Sequence, residues 1–312
     1  GEMIKAMARM DSHRARTDYN IYAAFMGAAA SAADTAFVLA RVRQVSAHEV
    51  GHTLGLQHNY IASTYDRASV MDYPAPRIRL KNGEIDLSQA YAVGPGVYDV
   101  WAIHWGYGIF PSESEADSLT AIVADGLKKK YLYLSDGDAR PDYASDPRTT
   151  LWDDAGTAGE FLKHQTETRR LALSRFGLRN VRDGEPLTIL QDRFPLLYYF
   201  HRFALNAATK AIGGMEYSNA VKGDGQFVTR IVDGARQREA LRAVLAELAP
   251  AELAVPDTLL ALFNPRGDGG NVELVGSRTR PAFDELSAAR SLAQMIVDGV
   301  LQRERAARLV VF

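Results

Sequence analysis

The chain has 312 residues, of which 47% are apolar and 24% charged, so a wholly disordered chain is excluded and a sizeable core needs no disulfides. Lys and Arg number 36 against 38 Asp and Glu, and the net charge of -2 excludes a general nucleic-acid binder, which needs a basic surplus for phosphate. Cysteine is absent, which removes disulfide scaffolds, thiolate zinc sites and cysteine nucleophiles.

The length fits two domains or one large one. Met3, Met7 and Met10 fall on one helical face and predict a first helix. Residues 11–20 read as a polar break. The apolar stretch from Tyr22 to Ala33 is too short to span a bilayer. A second helix is predicted from Asp34 to Leu54, with Phe37, Val38, Val42 and Val45 inward and Arg41, Arg43 and Gln44 facing elsewhere. Over residues 76–88 the period changes to two, and Asn82-Gly83 between the alternating runs predicts a β-hairpin. Tyr98 to Trp105 reads as a short helix closed by Gly106 and Gly108, with its aromatic rings in the core and His104 as a structural residue.

Beyond Ser112 the pattern is mainly helical. Ser112 and Glu115 suggest a capping box, and periodic runs cover 160–176, 187–212, 235–248 and 283–310. A small strand pair is predicted over 215–221 and 226–232. His164 and His201 lack ligand spacing and read as structural. Residues 134–156 hold Asp136, Asp138, Asp142, Asp146, Asp153 and Asp154 in a spacing that fits no EF-hand loop, so a solvated loop is expected there before a calcium site. The expected fold is mainly α with minor strands, divided into residues 1–111 and a helical region 112–312.

The chemistry concentrates in residues 48–58, which read H-E-x-x-H-x-x-G-x-x-H. His48 and His52, four apart, share one helix face with Cβ atoms about 6 Å apart, within reach of one zinc ion. Glu49 lies about 100° around the helix, close to the metal but not aimed at it, as suits a base acting on water. Gly55 can adopt positive φ, end the helix and let the chain return His58 as third ligand. Three protein ligands leave one position open, the arrangement of a catalytic zinc site. The full motif arises by chance on the order of once in fifty thousand such chains.

Downstream, Ser69-Val70-Met71-Asp72-Tyr73 precedes Pro74. Together with the zinc motif, this resembles the metzincin clan of zinc metallopeptidases. The resemblance implies that Met71 forms a methionine turn beneath the zinc, and that Tyr73 lies near the metal and stabilises the transition state. The wider run of His58-Asn59-Tyr60, Met71-Asp72-Tyr73-Pro74, the aromatic helix and the helical C-terminal region resembles the bacterial Met-zincin family of large secreted or periplasmic metalloproteases. That likeness implies one zinc ion, a peptide or protein substrate and a periplasmic or secreted location. Metzincins carry a sheet subdomain ahead of the zinc helix, whereas residues 1–47 read as helix and loop. The first residues also lack the pattern of a signal peptide. With Gly1 in place of Met, the sheet is expected in an upstream portion of a longer chain. Beside peptide-bond hydrolysis stand two other readings: a zinc-stabilised binding or scaffold domain, and a zinc hydrolase of a non-peptide amide.

Overall fold

The computed structural model describes residues 7, 12–29, 31–154, 157–265 and 282–311. The helix expected through Met3, Met7 and Met10 therefore lies outside the described residues, Met7 excepted. The architecture is mainly α with two small antiparallel strand pairs. Among the described residues no helix is long and apolar enough to cross a membrane.

Residues expected to form a polar break are helical: α1 spans Ser12–Met26. Its polar side is held by the Arg14–Asp18 pair one turn apart, with Asp18 fully buried, so the break in apolar period does not break the helix. Helix α2, Ala32–Thr53, starts from a capping box in which Ser31 and Asp34 satisfy each other's backbone N–H. Its buried stripe is Phe37, Arg41, Gln44, His48 and Gly51, which corrects the inward face expected from the valines. Arg41 and Gln44 are buried because tertiary partners exist for them. Arg41 donates to Gln44 Oε1 and its guanidinium lies 5.2 Å from the Tyr91 ring and 5.0 Å from the Trp152 ring.

The hairpin forms where it is predicted, with β1 at Arg79–Lys81 and β2 at Glu84–Asp86. Asn82 and Gly83 take φ of 52° and 78°, the paired positive values of a type I′ turn. Helix α3, Val97–Tyr107, departs from expectation: only Tyr98 and Asp99 are buried, while Trp105 and Tyr107 stay half exposed. His104 is also exposed, beside Phe110. Helix α4, Glu115–Lys128, starts two residues later than a Ser112 cap implies, because Ser114 turns back on the Pro111 carbonyl.

A short helix α5, Asp136–Ala139, lies within the acidic segment, followed by α6, Ala158–Ser174. The predicted helix over 187–212 divides into α7, Leu190–Tyr198, and α8, Arg202–Ala211, separated at the buried His201. The strand pair β3, Met215–Tyr217, and β4, Thr229–Ile231, sits inside the predicted ranges. Helices α9 (Gly234–Ala246), α10 (Pro250–Leu253), α11 (Asp257–Leu260), α12 (Glu285–Val300) and α13 (Arg303–Val311) complete the chain. One apolar cluster joins Tyr22 and Phe25 of α1, Phe37 of α2 and Ile85 of the hairpin to Phe161, Phe194, Leu205, Val244 and Leu292 of the later helices. His164 Nε2 donates to Ile78 O at 2.7 Å, and His201 lies 3.4 Å from Glu247, both inside the packing.

The acidic segment is not the solvated loop its composition suggests. Asp146 is fully buried and paired with Arg148, and Asp154 bridges Arg67 and Arg77. Asp138 accepts from the Tyr217 hydroxyl at 2.6 Å. Asp153 accepts from Ser63 Oγ at 2.8 Å, and its second carboxylate oxygen is shut away from solvent without a partner. The partners of Asp138, Asp153 and Asp154 come from residues tens of positions away, which local composition does not reveal. Asp142 alone of the six matches the expectation of an exposed residue without a side-chain bond of its own.

Burial raises the Asp153 carboxyl to about 7 and pushes Asp72 up as well, the Asp153 charge adding to the latter. The unfolded chain loses these protons near the ordinary carboxylate value of about 4, while the folded chain keeps them to higher pH. Stability from this pair is therefore full below about 4 and declines as pH rises toward 7. Asp153→Asn should flatten that decline and raise the urea midpoint at pH 8. An unchanged pH slope between 4.5 and 8 would remove Asp153 as its source.

Candidate metal centre

The three motif histidines reach one point by different routes. Helix α2 carries His48 and His52 on successive turns, then ends in a Schellman motif. Gly55 has φ of 88°, Leu56 N–H returns to Gly51 O at 3.0 Å, and Gly55 N–H to His52 O at 3.0 Å. Beyond this reversal the chain brings His58 back to the two helix histidines. Its ring centroid lies 5.3 Å from that of His48 and 4.7 Å from that of His52. One nitrogen from each of the three rings falls within 4.8 Å of the others, a set able to hold a metal ion.

The outward nitrogens fix how the rings point. His48 Nδ1 lies 2.7 Å from Val70 O, and His52 Nδ1 lies 2.9 Å from Leu56 O. A carbonyl only accepts, so each Nδ1 carries the proton and each Nε2 presents a lone pair inward. His58 Nδ1 meets Asp136 Oδ2 at 2.7 Å, with the same consequence. Burial pushes Asp136 up, but hydrogen bonds from His58 and Arg140 outweigh it and hold the carboxyl below its usual range, so it accepts as a carboxylate. Burial also lowers the His48 pKa, which favours the neutral, ligating imidazole.

His52 Nε2 and His58 Nε2 stand 3.1 Å apart. Two lone pairs at that distance repel unless a cation lies between them. Tetrahedral zinc with Zn–N of 2.0–2.1 Å sets its nitrogen ligands about 3.3 Å apart, close to this spacing. The donor set therefore fits zinc in number, type and spacing.

Beneath the imidazoles lies the segment 69–73. Met71 is fully buried, and a Cβ added at Gly51 would overlap its sulfur. The glycine between the two helix histidines is thus what lets the thioether approach α2. Asp99, from the third position of α3, pins this turn by accepting from Val70 N–H at 2.8 Å, Gly96 N–H at 2.7 Å and Ser69 Oγ at 2.5 Å. Met71 N–H donates to Ser69 Oγ, and Met71 O accepts from Asn59 N–H. Val70 O, held in this way, is also the acceptor for His48 Nδ1 and for Gln44 Nε2.

Tyr73 is brought to the same place, its ring centroid 5.1 Å from that of His48 and 4.9 Å from that of His58. Glu49 is half-buried beside the cluster, and among the described residues it has no ion-pair or hydrogen-bond partner. Asp136, Asp99, Gly51 and Arg140 were not legible as site residues. Arg140 bonds to Asp136 and, at 2.7 Å, to the Tyr60 hydroxyl. No local spacing marks these residues, since each acts through a contact across the fold.

Gly51→Ala forces a methyl group into the Met71 sulfur. It should cost about 1–3 kcal/mol of stability as overpacking and reduce metal content. Thermal unfolding and elemental analysis of the purified variant read both effects, and a variant as stable and as metal-rich as the parent would detach Met71 from this role.

No curated protein and no solved structure matches the chain. A family model described as Met-zincin matches residues 30–312, a span that begins just ahead of α2 and takes in the three imidazoles, the Met71 turn and every later element. With nearly the whole chain covered, the protein belongs to the Met-zincin family.

Proposed function

We propose that the protein is a zinc-dependent metallopeptidase hydrolysing peptide bonds, with His48, His52 and His58 holding one zinc ion and Glu49 as general base. The observation that carries this reading is the inward convergence of three Nε2 lone pairs, each ring locked through Nδ1, beside a carboxylate with no partner of its own. A purely structural site has no use for that carboxylate.

Zinc, when bound, supplies a Lewis acid that lowers the pKa of water toward 7 and polarises the scissile carbonyl. Glu49 accepts the proton of the attacking water and delivers it to the leaving amine nitrogen. Tyr73, with its ring against His48 and His58, offers its hydroxyl to the developing oxyanion. Asp136 keeps the His58 ring turned to the centre, as acceptors behind ligating histidines generally do. Met71 supports the imidazoles from below by packing, without binding metal. The substrate is a peptide or protein. Upstream domains of a longer chain would complete the cleft, and the compartment is periplasmic or secreted.

Glu49→Ala should leave zinc content intact and lower the peptide cleavage rate about 10²–10⁴-fold. Parent-like cleavage by that variant would remove Glu49 as the base. Asp136→Asn should weaken zinc binding about 10–100-fold in a competition titration with a chromogenic chelator. A chelator applied to the parent should abolish hydrolysis with little unfolding. Unfolding on chelation, in a protein that cleaves no peptide beforehand, would favour a zinc-stabilised scaffold instead.

A further inference from the structure

A cavity lies near the imidazole cluster, with Arg140 reaching toward both. The cavity, of about 370 Å³, lies between the 139–151 segment and helices α8 and α12. Its walls include Arg140, Leu151, Arg202, Phe203, Asn206 and Met295.

The cavity shares a wall with the metal centre. Arg140 lines it, yet the same guanidinium sits 5.5 Å from the Tyr60 ring and 5.6 Å from the Tyr73 ring, and it bonds to the carboxylate that holds His58. A row of rings makes the same connection: Tyr73 to Trp152 at 5.5 Å, then Trp152 to Phe203 at 6.0 Å. A peptide advances about 3.3–3.6 Å per residue, so a chain crossing the imidazoles reaches the cavity within a few residues.

Charge gives the cavity its preference. Arg202 stacks 4.2 Å over the Phe203 ring and donates one hydrogen bond, to Tyr199 O at 3.1 Å. A guanidinium has five N–H donors, and among the described residues no carboxylate pairs with this one. None of the residues lining the cavity is acidic. Burial lowers the Arg202 pKa to about 10, still well above neutrality, so the side chain stays charged. A cation set into a half-apolar wall without a counter-charge costs free energy that a bound carboxylate would recover.

We infer that this cavity is a substrate subsite for a carboxylate, recognised by Arg202 with Arg140 at the edge nearest the metal centre. The inference rests on the peptidase reading for its class of ligand, a peptide. The carboxylate is supplied by an acidic side chain or by the chain terminus.

The test uses fluorescein-labelled hexapeptides bound to the zinc-loaded Glu49→Ala protein, followed by anisotropy. One series moves a single Glu along the peptide against its Gln counterpart. The other compares a free C-terminus with its amide. Either the Glu or the free terminus should tighten binding about 10-fold or more, and the series that responds names the source. Arg202→Met should abolish that difference, while Arg202→Lys should keep part of it. Equal binding of acidic and neutral peptides to the protein with Arg202 intact would overturn the subsite, and that comparison stands even if Arg202→Met folds poorly. Cleavage by the parent is scored separately. A parent that cleaves without acidic preference loses the subsite and keeps the peptidase reading. A parent that binds acidic peptides through Arg202 and cleaves none keeps the subsite and loses that reading.

Discussion

Three imidazole lone pairs pointing at one another are an unstable arrangement without a cation, and the surrounding structure is organised to impose it. Each ring is held by a hydrogen bond on its far nitrogen, to Val70 O, Leu56 O or Asp136. These three acceptors come from the segment 69–73, the reversal after α2 and the acidic segment. Two of the inward nitrogens stand 3.1 Å apart, close to the spacing of two nitrogen ligands on one tetrahedral zinc ion.

The acceptors are themselves fixed. Asp99 on α3 takes two donors from the segment around Val70 and a third from Gly96, so the position of His48 depends on a carboxylate about fifty residues away. Gly51 leaves room for the Met71 sulfur to lie against α2, coupling helix packing to the floor of the site. Arg41 and Gln44 occupy the same buried face of α2 as His48, so this part of the helix docks through polar contacts. A buried polar face is costly unless every donor and acceptor is matched, and such matching favours one arrangement over its neighbours.

The acidic segment links this centre to the rest of the molecule. Asp136 faces His58, Asp153 and Asp154 meet Ser63, Arg67 and Arg77 near the methionine turn, and Arg140 and Leu151 form the wall of the neighbouring cavity. One segment therefore shapes both the imidazole geometry and the adjoining surface.

Residues 48–58 were legible because their chemistry is local: a four-residue spacing puts His48 and His52 on one helix face, and Gly55 supplies the positive φ that turns the chain toward His58. The Asn82-Gly83 hairpin was legible for the same reason, its turn being written in two adjacent residues. Asp136, Asp99 and Arg202 were not, because each acquires its meaning from a partner or cavity assembled by distant elements. Apolar period misjudged the inner face of α2, since Arg41 and Gln44 become inward residues only once Trp152 and Val70 are in place. The sequence by itself determined the ligand-bearing motif, the helical class and the turns, all set by backbone preference over a few residues. Tertiary structure alone decided which carboxylates are buried, how the imidazoles are held and where, among the described residues, a guanidinium is left without a carboxylate, because hydrogen bonds and charge pairs depend on distance in space rather than along the chain.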